Sequence, residues 1–154
     1  IKNNVKIKHS TITESSIDEM TVVGPYAYLR PKSIVGKDVK IGDFVEVKNS
    51  TIGDGTKISH LTYVGDGKVG KNVNLGCGVV FVNYNGLSKH LTEIEDDVFV
   101  GCNTNLIAPV KVGKSAYIAA GSTITDDVPE GALAIARERQ VNKTDWSNKY
   151  QKNK

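Results

Sequence analysis

Residues 17–47 read IDEMTVVGPYAYLRPKSIVGKDVKIGDFVEV, and an aliphatic residue returns at every sixth position of this stretch. These residues are Ile17, Val23, Leu29, Val35, Ile41 and Val47. An α-helix repeats its apolar positions every 3.6 residues and a half-exposed strand every 2, so neither explains this spacing. A period of six fits one short strand followed by a tight turn, which makes one side of a three-sided coil.

The six-residue spacing extends along most of the chain. With two five-residue steps and one gap it continues at Ile52, Ile58, Val64, Val69, Leu75, Phe81, Ile94, Val100, Leu106, Val112, Ile118 and Ile124, which together with the first six are called the ladder residues. A small or β-branched residue follows four positions after many of them, as at Val39, Val45, Thr62, Val73, Val79, Val98, Thr104 and Val110. One repeat cannot bury its apolar side chain alone, so stability must come from stacked coils. The sequence therefore predicts an all-β fold: a parallel β-helix shaped as a triangular prism, with about six coils over residues 5–128.

Two segments depart from the hexapeptide pattern. The ladder is interrupted over residues 82–93, where Asn85-Gly86 is a turn signal, and this insertion is predicted to leave the prism as an extruded loop. Pro129 and Gly131 end the regular repeats. We therefore expect a β-helix domain over residues 1–128 and a short C-terminal extension with a basic tail over residues 129–154.

Composition narrows the class of protein. The chain has 154 residues, a net charge of +3 and 39% hydrophobic residues, which suits one globular domain that could bind an anionic ligand. Its lysines are spread out rather than clustered with aromatic residues, which disfavours nucleic acid as a partner. It has no apolar run of the ~20 residues that a membrane span requires. The chain begins with Ile rather than Met, so an upstream domain is expected.

The two cysteines and three histidines fit neither a disulfide framework nor a structural metal site. Cys77 and Cys102 are expected to be reduced thiols of a cytoplasmic protein. His60 follows the ladder residue Ile58 by two positions, which places it near a corner of the prism with its side chain able to face outward. A lone histidine is usually a surface or packing residue, but imidazole is also the usual general base at neutral pH.

An ordered set of motifs resembles one enzyme family. The set comprises GPYAYLRP at 24–31, SHLTY at 59–63, Gly65-Asp66, NVNLG at 72–76, NYNG at 83–86 and AIAR at 134–137. It resembles the C-terminal acetyltransferase half of the bacterial bifunctional N-acetylglucosamine-1-phosphate uridyltransferase/glucosamine-1-phosphate N-acetyltransferases. The resemblance implies a left-handed helix and acetyl transfer from acetyl-CoA to glucosamine 1-phosphate, a step towards UDP-N-acetylglucosamine and cell-wall precursors. It also implies a homotrimer with active sites between subunits, and the uridyltransferase half is absent from this chain.

The same resemblance assigns roles to individual residues. His60 matches the catalytic general base. Positions that match the family's sugar-phosphate site are Arg30, Lys48, Tyr63, Asn74 and Lys89. Positions that match its acetyl-CoA site are Cys77, Asn83, Tyr84, Cys102, Ala120 and Arg137. No metal is implied for the acetyl transfer.

The chain departs from the family pattern in two respects, and several other functions remain alternatives. Asn85 stands where the family more often has Asp, and Cys77 and Cys102 replace small Ala- or Ser-type residues. A cysteine could in principle carry the acetyl group as a covalent intermediate. The acceptor could also be a serine, a nucleotide-linked amino sugar or maltose. A non-catalytic prism that binds a partner, like the carbonic-anhydrase-like scaffolds, belongs to a different class of function.

Overall fold

The computed structural model describes residues 1–149, and within them short parallel strands wind around a common axis. Residues 150–154 of the predicted 129–154 extension lie outside the described residues. The strands visit three sheets in rotation, so each coil has three sides. This is the predicted parallel β-helix.

The strand bounds follow the three sheets. Sheet A contains β1 (Lys6–Ile7), β4 (Val22–Val23), β7 (Lys40–Asp43), β10 (Lys57–His60), β13 (Asn74–Leu75), β16 (Phe99–Val100), β19 (Tyr117–Ile118) and β21 (Leu133–Ala134). Sheet B contains β2 (Thr11–Ile12), β5 (Tyr28–Leu29), β8 (Glu46–Lys48), β11 (Tyr63–Gly65), β14 (Val80–Val82), β17 (Asn105–Ile107) and β20 (Thr123–Ile124). Sheet C contains β3 (Ser16–Ile17), β6 (Ile34–Val35), β9 (Thr51–Ile52), β12 (Gly67–Val69), β15 (Thr92–Ile94) and β18 (Val110–Val112). A short 3₁₀-helix covers Trp146–Lys149.

The core is the column that the ladder residues fill. Every ladder residue is buried, and so are the eight small or β-branched residues named above that follow ladder residues by four positions. Phe81 is completely buried and is the largest side chain in this column. Each ladder residue stacks on its counterparts in the neighbouring coils. Ile58, for example, lies over Ile41 of the coil below and under Leu75 of the coil above. The six-residue spacing therefore predicted the inward face of every side.

The corners of the prism use left-handed backbone conformations. The AB corner, which joins sheet A to sheet B, has positive φ at His9, Tyr26, Phe44 and Leu61, in addition to Gly78 and Gly121. Bulky side chains therefore share these positions with glycine. Hydrogen bonds between successive coils hold these turns, such as Tyr26 N–H to His9 O at 2.8 Å and Leu61 N–H to Asp43 O at 3.0 Å. These bonds offset the steric cost of the left-handed conformation.

The extruded loop leaves the prism at the BC corner, between β14 and β15. The coil that contains it steps from Asn74 to Phe99, whereas the coil before it steps from Lys57 to Asn74. Oδ1 of Asn85 accepts hydrogen bonds from the Leu87 and Ser88 N–H groups at 2.9 and 2.8 Å, which closes the turn at the tip. A carboxylate oxygen could accept the same two bonds, so Asn85 preserves the shape that the family's usual Asp would give this loop.

The helix makes about seven turns. The seventh coil closes at Val128, which forms a bridge to Val112, and β21 adds one more side on sheet A by pairing in parallel with β19. Residues 129–134 therefore form part of the last side of the prism. The 3₁₀-helix lies further along the C-terminal segment.

Candidate active site

His60 and Asp43 form a hydrogen-bonded pair at the AB corner. His60 ends β10 and is exposed, and Asp43 ends β7 directly beneath it, in the preceding coil. Nδ1 of His60 lies 2.6 Å from Oδ1 of Asp43. This hydrogen bond lowers the pKa of Asp43, so the carboxyl is ionised at neutral pH. Because a carboxylate only accepts hydrogen bonds, Nδ1 of a neutral His60 carries the proton and Nε2 keeps its lone pair.

Asp43 was not among the residues that the sequence singled out. A signal for it exists, because Asp43 and His60 are separated by 17 residues and each follows a ladder isoleucine by two positions. Aligning successive coils on their ladder residues brings these two positions together. The number of residues between them does not reveal this pairing by itself.

Small side chains continue the AB corner above His60. Each follows its own ladder residue by two positions in successive coils, as His60 does: Cys77, Cys102 and Ala120. The turns are joined by hydrogen bonds from Asn103 N–H to Cys77 O and from Gly121 N–H to Cys102 O, both at 2.8 Å. At the usual strand spacing these three steps make a narrow track about 14 Å long. We call this the AB track.

Close stacking of the coils keeps the AB track smooth. A Cβ atom at Gly76 would lie 2.6 Å from the Cys102 nitrogen, and one at Gly101 would lie 2.5 Å from the Ala120 nitrogen. Only glycine permits this approach. At the upper end, Cδ of Arg137 lies 3.7 Å from the position of a Cβ at Gly121, so this cation lies near the end of the track.

Three cations gather at the BC corner. Arg30 follows β5, Lys48 ends β8 in the next coil, and Lys89 belongs to the extruded loop. The neighbouring Lys89 amine lowers the pKa of Lys48, with smaller contributions from burial and from Arg30, which shows that the charges are close. Nη1 of Arg30 also lies 2.8 Å from Oε1 of Glu46. We call Arg30, Lys48 and Lys89 the basic cluster; its chemistry suits a phosphate group.

Tyr63 and Asn83 lie beside the basic cluster. A Cβ atom at Gly65 would overlap the Tyr63 hydroxyl and would lie 2.8 Å from Nδ2 of Asn83, so both polar groups cover this glycine. The hydrogen bond to Glu46 raises the pKa of Arg30, and the nearby Tyr63 hydroxyl makes a smaller contribution in the same direction. Asn83 is buried, whereas Tyr84, the next residue, is exposed and donates from its hydroxyl to Gly86 O at 2.6 Å.

The residues that the sequence singled out thus fall into two groups on one prism. His60, Cys77, Cys102 and Ala120 line the AB corner, with Arg137 near its upper end. The BC corner carries the other group: Arg30, Lys48, Asn83, Tyr84 and Lys89. Tyr63 begins the sheet B strand that runs from one corner to the other, and Asn74 faces outward on sheet A between Lys57 and Phe99.

Two further classes of site are missing from residues 1–149. No three His, Cys, Asp or Glu side chains in this part converge as a metal site would require. No helix of the same part is long and apolar enough to cross a membrane.

The stacked hexapeptide coils define a left-handed parallel β-helix. A variant of perosamine N-acetyltransferase from Caulobacter crescentus, solved in complex with CoA and GDP-perosamine, shares this fold with a TM-score of 0.64 at 22% identity. That match covers 75% of this chain and 53% of the solved one. Residues 11–111 match the GMPPB C-terminal domain family, and the chain belongs to this family.

Full-length relatives resemble the chain more closely in sequence. It is 65% identical over 146 residues to the bifunctional protein GlmU of Clostridium kluyveri, and 66% identical over 146 residues to that of Acetivibrio thermocellus. Each match covers 95% of this chain and 32% of the relative. The chain therefore spans about a third of the length of these curated relatives, at their C-terminal part.

Proposed function

We propose that the chain transfers an acetyl group from acetyl-CoA to the amine of glucosamine 1-phosphate. The observation that carries the proposal is the His60–Asp43 pair at the foot of the AB track, in a chain 65% identical to a bifunctional GlmU protein. The pair supplies a base, the AB track suits a narrow pantetheine arm, and the basic cluster suits a sugar phosphate. The product is N-acetylglucosamine 1-phosphate.

His60 acts as the general base in this proposal. An ammonium group has no lone pair, so the sugar amine must lose a proton to attack the thioester carbonyl. Nε2 of His60 accepts that proton while Asp43 holds Nδ1–H and stabilises the imidazolium that forms. Collapse of the tetrahedral intermediate breaks the carbon–sulfur bond, and the CoA thiolate takes up the proton. A main-chain N–H group is the proposed donor to the oxyanion.

Direct attack is preferred to an acetyl-cysteine intermediate. A cysteine nucleophile needs a base or a cation that favours its thiolate. Cys77 and Cys102 lie on the AB track, where they line the proposed path of the pantetheine arm.

Both cysteines are free thiols, the form typical of the reducing cytoplasm, and we place the reaction in that compartment.

The basic cluster is proposed to bind the phosphate. The planar guanidinium of Arg30 can make two parallel hydrogen bonds to phosphate oxygens, and Lys48 and Lys89 add point charges. The substrate phosphate would also relieve the repulsion that lowers the pKa of Lys48. Tyr63 and Asn74 are proposed as further contacts to the sugar. Asn83, Tyr84 and Arg137 are proposed as contacts to acetyl-CoA.

A homotrimer with shared sites would bring the two groups of residues together. The AB and BC corners lie at opposite edges of sheet B, so one prism holds the base and the basic cluster apart. Packing the AB corner of one prism beside the BC corner of another would close a cleft between them. Apolar side chains available for such contacts are exposed on sheet A, including Phe99, Tyr117 and Leu133.

A thiol-release assay with acetyl-CoA and a panel of acceptors tests the proposed function. Glucosamine 1-phosphate should give the highest kcat/KM. A higher value with a nucleotide-linked amino sugar, the substrate type bound by the solved perosamine enzyme, would favour that acceptor class instead. Release with no acceptor of the panel would favour a non-catalytic prism.

A further inference from the structure

Asp66 lies at the base of the extruded loop, between the residues that the proposed function uses. It forms the BC-corner turn between β11 and β12 with φ of 50°. Its N–H donates to Lys48 O at 3.1 Å, and its carbonyl accepts from Thr92 N–H, where the chain returns from the loop, at 3.2 Å. The backbone of Asp66 is therefore tied to the coils on both sides.

The Asp66 carboxylate accepts from two asparagine side chains. Nδ2 of Asn49, in the coil below, lies 2.5 Å from Oδ1, and Nδ2 of Asn83, in the coil above, lies 2.5 Å from Oδ2. Because a carboxylate cannot donate, each amide must turn its nitrogen towards Asp66. The Oδ1 atom of Asn83 is thereby fixed as an acceptor on the other side of the amide. Asn83 is only 7% exposed, so water cannot freely replace this partner.

Charge reinforces this orientation. Burial alone would raise the pKa of Asp66, but the hydrogen bonds from Asn49 and Asn83 and the charges of Lys48 and Lys89 lower it overall. The carboxyl is consequently ionised at neutral pH. It partly neutralises the two lysines and leaves one of their two positive charges for a phosphate, beside the Arg30 guanidinium that also pairs with Glu46.

We propose that Asp66 is a positioning residue that fixes the amide of Asn83, and with it the base of the extruded loop, for acetyl transfer. It acts through Asn83 and does not contact the substrate. The proposal rests on the proposed function for its kinetic consequence. The orientation of the Asn83 amide is a separate consequence that can be observed without any substrate.

The kinetic test is Asp66→Asn, which removes the charge and places a second amide beside Asn83. We expect kcat with glucosamine 1-phosphate to fall by about 10-fold or more, while the KM for the sugar phosphate is unchanged or lower. The KM does not rise because Lys48 and Lys89 lose an opposing charge. A general loss of folding would instead lower the fraction of protein that is folded at the assay temperature, whereas the expected loss of kcat occurs in folded protein.

The matched control is Asp97→Asn. Asp97 is also an aspartate with positive φ at a corner, and its carboxylate also accepts from an asparagine, Asn72, at 3.3 Å. It lies at the CA corner, away from the basic cluster and His60. We expect this variant to keep kcat within about twofold of the wild-type value.

The second readout is the side-chain amide resonance of Asn83 in protein labelled with ¹⁵N-asparagine, assigned with Asn83→Ala. In the wild type this resonance should show a charge-assisted hydrogen bond, which disappears in Asp66→Asn and persists in Asp97→Asn. An unchanged Asn83 resonance or an unchanged kcat in Asp66→Asn overturns the proposal. A wild-type chain that is inactive with glucosamine 1-phosphate rejects the proposed function, and the Asn83 resonance then decides whether Asp66 orients the amide.

Discussion

Replacing Asp43 by Asn tests how the structure prepares His60. An amide can accept from Nδ1–H with its oxygen or donate to Nδ1 with its nitrogen, so the variant allows both imidazole tautomers. Only the tautomer with the proton on Nδ1 leaves Nε2 free to accept a proton from the sugar amine. The variant also removes the negative charge that stabilises the imidazolium.

The size of the effect follows from the exposure of the pair. A positioned general base contributes about 10²- to 10⁴-fold to the rate, and Asp43→Asn keeps the base while it loosens the control of its tautomer. The side chains of His60 and Asp43 are 55% and 36% exposed. Water can therefore replace part of the hydrogen bonding and part of the stabilisation of the imidazolium that the carboxylate supplies. We therefore expect kcat/KM to fall by about 10- to 100-fold, less than for removal of the imidazole.

The assay is thiol release from acetyl-CoA with saturating glucosamine 1-phosphate, measured over a range of pH. Asp38→Asn is the control, because Asp38 is an exposed corner aspartate with φ of 52° at the CA corner. It should behave like the wild type. An Asp43→Asn variant with wild-type kcat/KM and pH dependence would refute the reasoning about the tautomer.

Three further predictions concern the core, the phosphate site and acid stability. Phe81→Ala should lower the free energy of unfolding in urea by about 3–5 kcal/mol, because it opens a cavity in the column, whereas Leu87→Ala, at the exposed tip of the extruded loop, should cost under about 1 kcal/mol. Arg30→Ala should raise the KM for glucosamine 1-phosphate by about 10-fold or more with a small change in kcat, as measured by initial rates. Asp66 has a lowered pKa, so its stabilising effect is present above its unfolded value of 3.8 and is lost as the pH falls through its lower folded value. Asp66→Asn should therefore lower the Tm at neutral pH and have little effect near about pH 2.

A specific result would contradict each of these three predictions. Equal losses of stability for Phe81→Ala and Leu87→Ala would deny that the ladder fills the core. A normal KM in Arg30→Ala at normal turnover would remove Arg30 from the phosphate site. A Tm difference between the wild type and Asp66→Asn that is as large in acid as at neutral pH would show that the ionised carboxyl is not the cause.

The ladder could be predicted because inward positions repeat with the strand and turn. Each coil places its aliphatic residues at the same point of each side, so even the completely buried Phe81 follows from counting. The left-handed winding came instead from the family resemblance. The bulky residues at positive φ on the AB corner were not predicted either, since Tyr26 and Leu61 are held there by hydrogen bonds to carbonyls of the coil below.

The sequence named candidate site residues but not the hydrogen-bonded pairs that they form. The separation between vertical neighbours varies: Lys6 lies under Val22, Val22 under Lys40, and Lys40 under Lys57. A partner such as Asp43 for His60 therefore appears only when the coils are aligned one by one. Asp66 and Asn83 are likewise 17 residues apart, and each follows a ladder residue, Val64 or Phe81, by two positions, so their contact also appears only in that alignment.

Product identification by mass spectrometry tests the central claim most directly. Wild type, His60→Ala and His9→Ala are incubated with acetyl-CoA and glucosamine 1-phosphate; His9 is the control because it lies on the same AB corner and stacks on Tyr26. We predict N-acetylglucosamine 1-phosphate from the wild type and His9→Ala, and at least about 100-fold less from His60→Ala. No acetylated sugar phosphate from the wild type, or as much from His60→Ala, would contradict the account.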